Sequence, residues 1–237
     1  MSDEALLQDL KARDRERWLS TLWAPVAARP ALLAIHAYDL EQQRVVAEAR
    51  EPMLAEIRLA WWREQLEQLS AGRLAPPQPL LRALRHDARP RAVDLTVLSR
   101  IEEGYLPLLT EGRLDALAMA EARGAPLFEA LATALLGRPL DNQESGDAAL
   151  AGTRWALARL WRPGWGQAET RLSVLVPPDF PDTPTGPLPV PLLQLDSLAA
   201  DDWARLQRGQ PLARPASPGR QWRMAKAAFR LRSSHLP

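Results

Sequence analysis

The chain carries a group of arginine and aromatic residues that could bind an anion beside an apolar surface. Guanidinium groups form paired hydrogen bonds with phosphates and carboxylates, so these arginines could bind an anionic ligand directly. The aromatic side chains could line the apolar part of the same pocket. The candidates are Arg29, Tyr38, Arg44, Arg58, Trp61 and Arg162.

Each of these residues also has a structural explanation. Arg44 could form a salt bridge with Glu41 or Glu48 on the same predicted helix. The other arginines could pair with structural carboxylates in the same way. The aromatic residues, together with the neighbouring Trp62, could simply pack in a hydrophobic core. The residue types alone leave both interpretations open.

The hydrophobic pattern predicts the helices that would position this group. Pro30 fits the start of one helix and Pro52 fits the first turn of the next, so the two helices meet at Glu51–Pro52. Further helices are expected over residues 80–86, 92–109, 110–124, 126–137, 145–161 and 192–208. Only residues 172–176 alternate as a strand would. We therefore predict an all-α fold.

Composition excludes several classes of protein. The chain of 237 residues has no cysteine, so disulfides, thiolate zinc sites and cysteine nucleophiles are excluded. Its three histidines lie far apart in sequence, which argues against a histidine metal site. A net charge of +1 gives no reason to expect nucleic-acid binding. The N-terminus is charged and amphipathic, and no apolar run is long enough to span a membrane, so we expect a cytoplasmic protein.

We expect three segments within one domain. Residues 1–162 form a helical core. Prolines crowd residues 163–219, which are predicted to form loops and a short helix that cap the same core. Residues 220–237 form a basic C-terminal helix.

The C-terminal helix has two interpretations. Trp222 and Phe229 are expected on one side, the basic residues from Arg220 onward elsewhere, and no acidic residue follows Asp202. It could present a solvated basic face. Alternatively, residues 220–232 could contact an anionic membrane or an acidic partner, which would place the protein at the periphery of the inner membrane.

Several segments resemble the squalene/phytoene synthase family. The sequence EPMLAEIRLAWWREQL at residues 51–66 is similar to bacterial members of that family. ARGAPLFEALATALLG at residues 122–137 and GTRWALARLWR at residues 152–162 are similar to later helices of the family. The resemblance covers roughly residues 14–180. It implies an isoprenoid-synthase-like helical bundle with a proline-rich C-terminal segment.

The same resemblance implies that the metal-binding acids are absent. Active members hold Mg²⁺ and a prenyl diphosphate between two aspartate clusters on facing helices. The resemblance places Gln43 and Ala47 in the first cluster, and Arg159 and Pro163 in the second. None of the four is a carboxylate, so it implies no metal and no catalytic residue. A branch related to a mitochondrial complex I assembly factor lacks the same motifs, and this chain resembles that branch.

The expected function is therefore that of a non-catalytic family member that needs no cofactor. It would bind a partner protein or an isoprenoid-like lipid. The alternative is a prenyl transferase that joins two farnesyl or geranylgeranyl diphosphates head to head, with Mg²⁺ held by Asp39, Glu41 or acids of the proline-rich segment. A third hypothesis is an adaptor whose pocket is filled. An open apolar cavity between residues 30–48 and 145–161 would favour a lipid ligand, and a filled one an adaptor.

Overall fold

The computed structural model describes residues 3–74 and 76–233, and the side chains of residues 8–74 and 76–229. Over these residues it contains helices and loops but no β-strand, so the all-α prediction is confirmed. Short 3-10 and π segments lie at residues 26–28, 84–91, 100–104, 106–108 and 166–168. The α-helices are α1 (Asp3–Arg13), α2 (Arg15–Leu22), α3 (Arg29–Ala47), α4 (Pro52–Ser70), α5 (Pro79–Ala83), α6 (Leu95–Ser99), α7 (Ala116–Leu136), α8 (Asn142–Leu160), α9 (Glu169–Ser173), α10 (Val190–Gln207) and α11 (Pro218–Ser233).

Helix α3 lies at the centre of the molecule. It has Pro30 in its first turn, and α4 begins at Pro52 with Glu51 as its N-cap, as predicted. Most of α3 is buried because α1, α2, α4 and α7 all pack around it. Polar residues of α3, Asp39 among them, are therefore removed from water along with the apolar ones.

Helices α7 and α8 pack antiparallel and unusually close together. At their crossing, a Cβ atom built on Gly152 would lie 2.0 Å from the carbonyl oxygen of Gly124. Only two glycines permit that approach. The prediction of a break between residues 124 and 126 was wrong, because α7 continues through Pro126 and is buried on both sides of it.

Residues 172–176, the only stretch whose sequence alternates as a strand would, do not form a strand, because α9 occupies residues 169–173 and the chain then becomes irregular. A second prediction about the helices was wrong. The long helix expected over residues 92–109 is divided into α6 and 3-10 turns, which bend the chain.

The C-terminal segment packs on the helices that precede it. Arg154 on α8 donates hydrogen bonds to the carbonyl oxygens of Pro181 and Asp182 at 2.7 and 3.2 Å. Arg220 on α11 pairs with Glu16 on α2 and with Asp202 on α10. These contacts join α11 to the beginning of the chain. Residues 234–237 and the side chains after Phe229 lie outside the described part.

None of the helices that the structure describes is long and apolar enough to cross a lipid bilayer.

Candidate functional site

A cavity at the ends of α3 and α8 brings together the four positions that the resemblance assigned to the aspartate clusters. Gln43 and Ala47 line it from α3, and Arg159 and Pro163 line it from α8 and the residues just after it. The volume of the cavity is about 280 Å³. The two segments thus meet across one space.

The residues of this cavity do not fit a magnesium ion. Mg²⁺ requires several oxygen ligands in octahedral geometry. The Gln43 side chain instead donates its amide hydrogen to the carbonyl oxygen of Gly164 at 3.1 Å, and Ala47 offers only a methyl group. Arg159 offers a cation. Within the described part of the chain, no three His, Asp or Glu side chains lie close enough together to hold a metal ion.

Three arginines line this cavity, which we call the basic cavity. Arg13, Arg44 and Arg159 line it with the single carboxylate Glu48. Burial lowers the pKa of Arg159, Asp14 offsets this only in part, and neighbouring guanidinium groups lower the pKa further. The environment of Arg159 therefore contains more positive charge than the nearby acids compensate. An anion entering the cavity would relieve this imbalance.

Beneath the cavity, a buried ion-pair cluster fills the space between α3, α7 and α8. Asp39 accepts hydrogen bonds from Arg17 at 2.7 Å, from Arg123 at 2.8 and 2.9 Å, and from the Tyr105 hydroxyl at 2.7 Å. All of these side chains are essentially excluded from solvent. Both carboxylate oxygens of Asp39 are therefore fully engaged.

Asp14 extends this cluster to the cavity. It accepts a hydrogen bond from Arg17 and forms an ion pair with Arg159, each at an N–O distance of 2.9 Å. Three arginines thus face the two aspartates Asp14 and Asp39, which leaves one positive charge in excess. We call this set of five charged residues the Asp39 cluster.

Electrostatics keep both aspartates ionised. Burial would raise the pKa of Asp39, but the charges of Arg123 and Arg17 outweigh it and hold the pKa well below its usual range. Arg159 and Arg17 do the same for Asp14. Nearby His36 is buried and close to Arg17, which together lower its pKa to about 3, so it is neutral at pH 7.

Trp155 packs inside the cluster. Its ring centroid lies 5.0, 5.1 and 5.9 Å from the guanidinium carbons of Arg123, Arg17 and Arg159. Cation–π attraction to one indole compensates part of the charge that the aspartates leave over.

A sequence profile described as squalene/phytoene synthase matches residues 10–162. The chain belongs to the squalene/phytoene synthase family. A Drosophila melanogaster protein named NADH dehydrogenase (ubiquinone) complex I, assembly factor 6 homolog is 31% identical over 93 residues. Those residues are 37% of this chain and only 28% of that relative. No solved structure matches the chain.

Other candidate residues of this squalene/phytoene synthase family member lie away from the cavity. Tyr38 is fully buried, packs edge-on against Trp62 with ring centroids 5.9 Å apart, and has no hydrogen-bond partner for its hydroxyl among the described residues. Trp61 faces outward from α4 and is 38% exposed. Trp62 is a core residue, whereas Trp61 is a surface residue.

Most of the candidate arginines already have partners. Arg44 pairs with Glu41 at 2.7 Å, one of the two partners considered, and Arg58 lies 3.9 Å from the same carboxylate. Arg162 forms a buried bidentate pair with Asp202, with N–O distances from 2.7 to 3.0 Å. Among these arginines only Arg44 lines the basic cavity.

Arg29 has a different role. It donates hydrogen bonds to the carbonyl oxygens of Leu22 and Ala24 at 2.8 and 3.1 Å and so fixes the turn between α2 and α3.

The sequence alone did not mark Arg17, Arg123 and Tyr105 as functional candidates. One signal was available. The buried face of α7 carries small and apolar residues with Arg123 as its exception, and a cation on such a face requires a buried partner.

Proposed function

We propose that this member of the squalene/phytoene synthase family acts by binding a partner protein and does not transfer prenyl groups. The observation that carries the proposal is the Asp39 cluster. A prenyl chain would need an apolar space between α3 and α8, and that space is occupied by Asp39, Arg123 and Trp155. Expelling buried ion pairs to admit a hydrocarbon chain would be strongly unfavourable.

The chemistry of the cavity supports the same proposal. Prenyl transfer in this family depends on metal ions that neutralise the departing diphosphate. The basic cavity has no set of oxygen ligands for such ions, and Asp39, an acid considered for this role, has no free oxygen. Glu41 already pairs with Arg44.

The first experiment measures catalysis directly. The purified protein is incubated with farnesyl or geranylgeranyl diphosphate and Mg²⁺, and released diphosphate is compared with a heat-denatured control. We expect no release above the control. Release above it would refute the proposal.

The exposed face of α4 supports a protein partner. Met53, Leu54, Ile57 and Trp61 follow each other at helical spacing and are 70%, 55%, 58% and 38% exposed. An apolar stripe over two turns of a helix is a common docking surface for a partner helix. The similarity to a protein named as an assembly factor homolog also supports a binding role.

A photo-cross-linking residue at position 57 tests this surface in the cells that make the protein. The matched control places the same residue at position 174, where Val174 is 78% exposed. We expect an adduct of defined mass at position 57 only. Equal adducts at both positions, or none at position 57, would argue against α4 as the binding face.

An isoprenoid-like lipid is a second candidate ligand. A further cavity of about 420 Å³, lined by Leu160, Trp161, Trp165 and Leu172, shares Pro163 with the basic cavity. An anionic head group beside Arg159 could place a short apolar chain there. In the first experiment, a raised melting temperature with prenyl diphosphate but no diphosphate release would support this ligand class.

A further inference from the structure

An exposed apolar patch is formed by two elements that are far apart in the sequence. Trp23 in the turn after α2 packs edge-on against Phe229 of α11, with ring centroids 6.1 Å apart. Trp222 and Phe229 are 70% and 53% exposed, and Val26 is 74% exposed. We call this surface the aromatic patch. Its members are Leu22, Trp23, Val26, Trp222 and Phe229.

The patch results from how α11 is anchored. Arg220 is 2% exposed because it pairs with Glu16 and Asp202, and Met224, Ala227 and Ala228 are buried on the same side. The opposite side of α11 therefore faces solvent and carries both aromatic residues. The basic residues were expected away from the aromatic side. Arg220 does lie on the opposite side, but Lys226 shares the exposed side with Trp222 and Phe229.

The turn that completes the patch is also held in place. Arg29 donates hydrogen bonds to the carbonyl oxygens of Leu22 and Ala24, which fixes the backbone that carries Trp23 and Val26. Both acceptors are backbone carbonyl groups, so the turn is fixed through its own main chain. The apolar side chains are thus presented on an ordered turn.

Basic side chains lie among the apolar ones. Trp222, Lys226 and Phe229 are spaced i, i+4 and i+7, so they share one face of α11, and Lys226 is exposed between the two rings. Arg223 is next to Trp222, and no acidic residue follows Asp202 in the chain. Arg223 is partly neutralised by Asp201 at 2.7 Å.

We infer that the aromatic patch docks on the surface of a lipid bilayer that contains anionic phospholipid. Aromatic rings with interspersed basic groups match the boundary between acyl chains and anionic head groups. Lysine is depleted from protein–protein interfaces, so the exposed Lys226 on the same face of α11 argues against a protein occupant. The basic charge of the patch complements the negative surface of such a bilayer.

Co-sedimentation with lipid vesicles tests the inference on the full chain. The wild type should bind vesicles of mixed phosphatidylcholine and phosphatidylglycerol, and bind phosphatidylcholine alone much more weakly. Trp222→Ser should lower the partition coefficient at least about tenfold, because an interfacial indole is removed. Val176→Ser, which removes an exposed apolar side chain from the loop after α9, is the control and should leave binding unchanged.

Lys226→Glu separates charge from apolar contact. It should weaken binding to the mixed vesicles by roughly fivefold or more and leave binding to neutral vesicles unaffected. Since the side chains of Trp222 and Lys226 are exposed, both substitutions should leave the melting temperature of the protein unchanged. The inference is overturned if the wild type does not bind mixed vesicles or binds both kinds equally. Equal effects of Trp222→Ser and Val176→Ser would also overturn it.

Discussion

At the scale of single residues, Asp39 is the charge on which the centre of the molecule depends. Its carboxylate is the shared counter-ion of Arg17 and Arg123, which are 0% and 2% exposed. A buried guanidinium without a counter-charge is far more destabilising than an exposed one, because water cannot solvate it. Asp39 therefore has a structural task, whereas the alternative hypothesis of a prenyl transferase considered it as a metal ligand.

Asp39→Asn should destabilise the protein by about 3–5 kcal/mol, because it removes one partner of a buried ion pair and keeps the shape of the side chain. The free energy of unfolding is measured by urea titration at pH 7. The control is Asp9→Asn, which removes an exposed i,i+4 partner of Arg13 and should change stability by less than about 0.5 kcal/mol. A loss below about 1 kcal/mol in Asp39→Asn would contradict this role.

The pH dependence gives a second measure of the same substitution. The folded pKa of Asp39 and Asp14 lies below the unfolded value of about 3.9, so the unfolded chain binds protons first as pH falls. Their contribution is complete above that value and is lost below it. Below about pH 4 the wild type should lose up to about 1.4 kcal/mol per pH unit more than Asp39→Asn does.

Local spacing predicts contacts within a helix but not contacts between distant elements. The pair of Arg44 with Glu41 was one of two alternatives that the spacing allowed, and it is present. Arg123 reaches Asp39 across 84 residues of sequence, and nothing in either helix alone specifies that pairing. A buried cation implies that a partner exists, but the tertiary packing decides which residue it is.

At the scale of elements, the crossing of α7 and α8 fixes the distance between the helices that carry Arg123 and Arg159. Gly124 and Gly152 let the two backbones touch, and this proximity brings Arg123 of α7 to Trp155 of α8, which lies one helical turn from Arg159. In the sequence, Gly124 was interpreted as a helix end. Glycine also serves close helix packing, and local sequence does not distinguish the two uses.

Gly152→Ala should destabilise the protein by about 1–3 kcal/mol or more, because the new methyl group would overlap the carbonyl group of Gly124. Gly146→Ala is the matched control on the same helix. A Cβ atom there meets nothing within 4 Å, so the substitution should stabilise the helix by about 0.5–1 kcal/mol. Urea or thermal unfolding measures both, and similar effects at the two positions would show that the crossing is looser than described.

At the scale of the whole molecule, the fold class and the family could be predicted from the sequence because long periodic helices and the segment at residues 51–66 carry strong signals. The orientation of α11 could not be predicted. It is set by Arg220 binding Glu16, a residue 204 positions earlier. Hydrophobic periodicity placed Trp222 and Phe229 on one side of the helix but could not decide whether that side faces the core or the solvent. The buried ion pair of Arg220 turns it outward.

Three buried charged residues in the region that the family profile matches have their counter-ions outside that region. Within residues 10–162, Arg154 pairs with Asp196, Arg162 with Asp202, and Glu16 with Arg220. All three counter-ions come from the polypeptide beyond the shared region. The helices of that region therefore depend structurally on the last seventy or so residues. A chain shortened to the matched region would leave three buried charges without counter-ions.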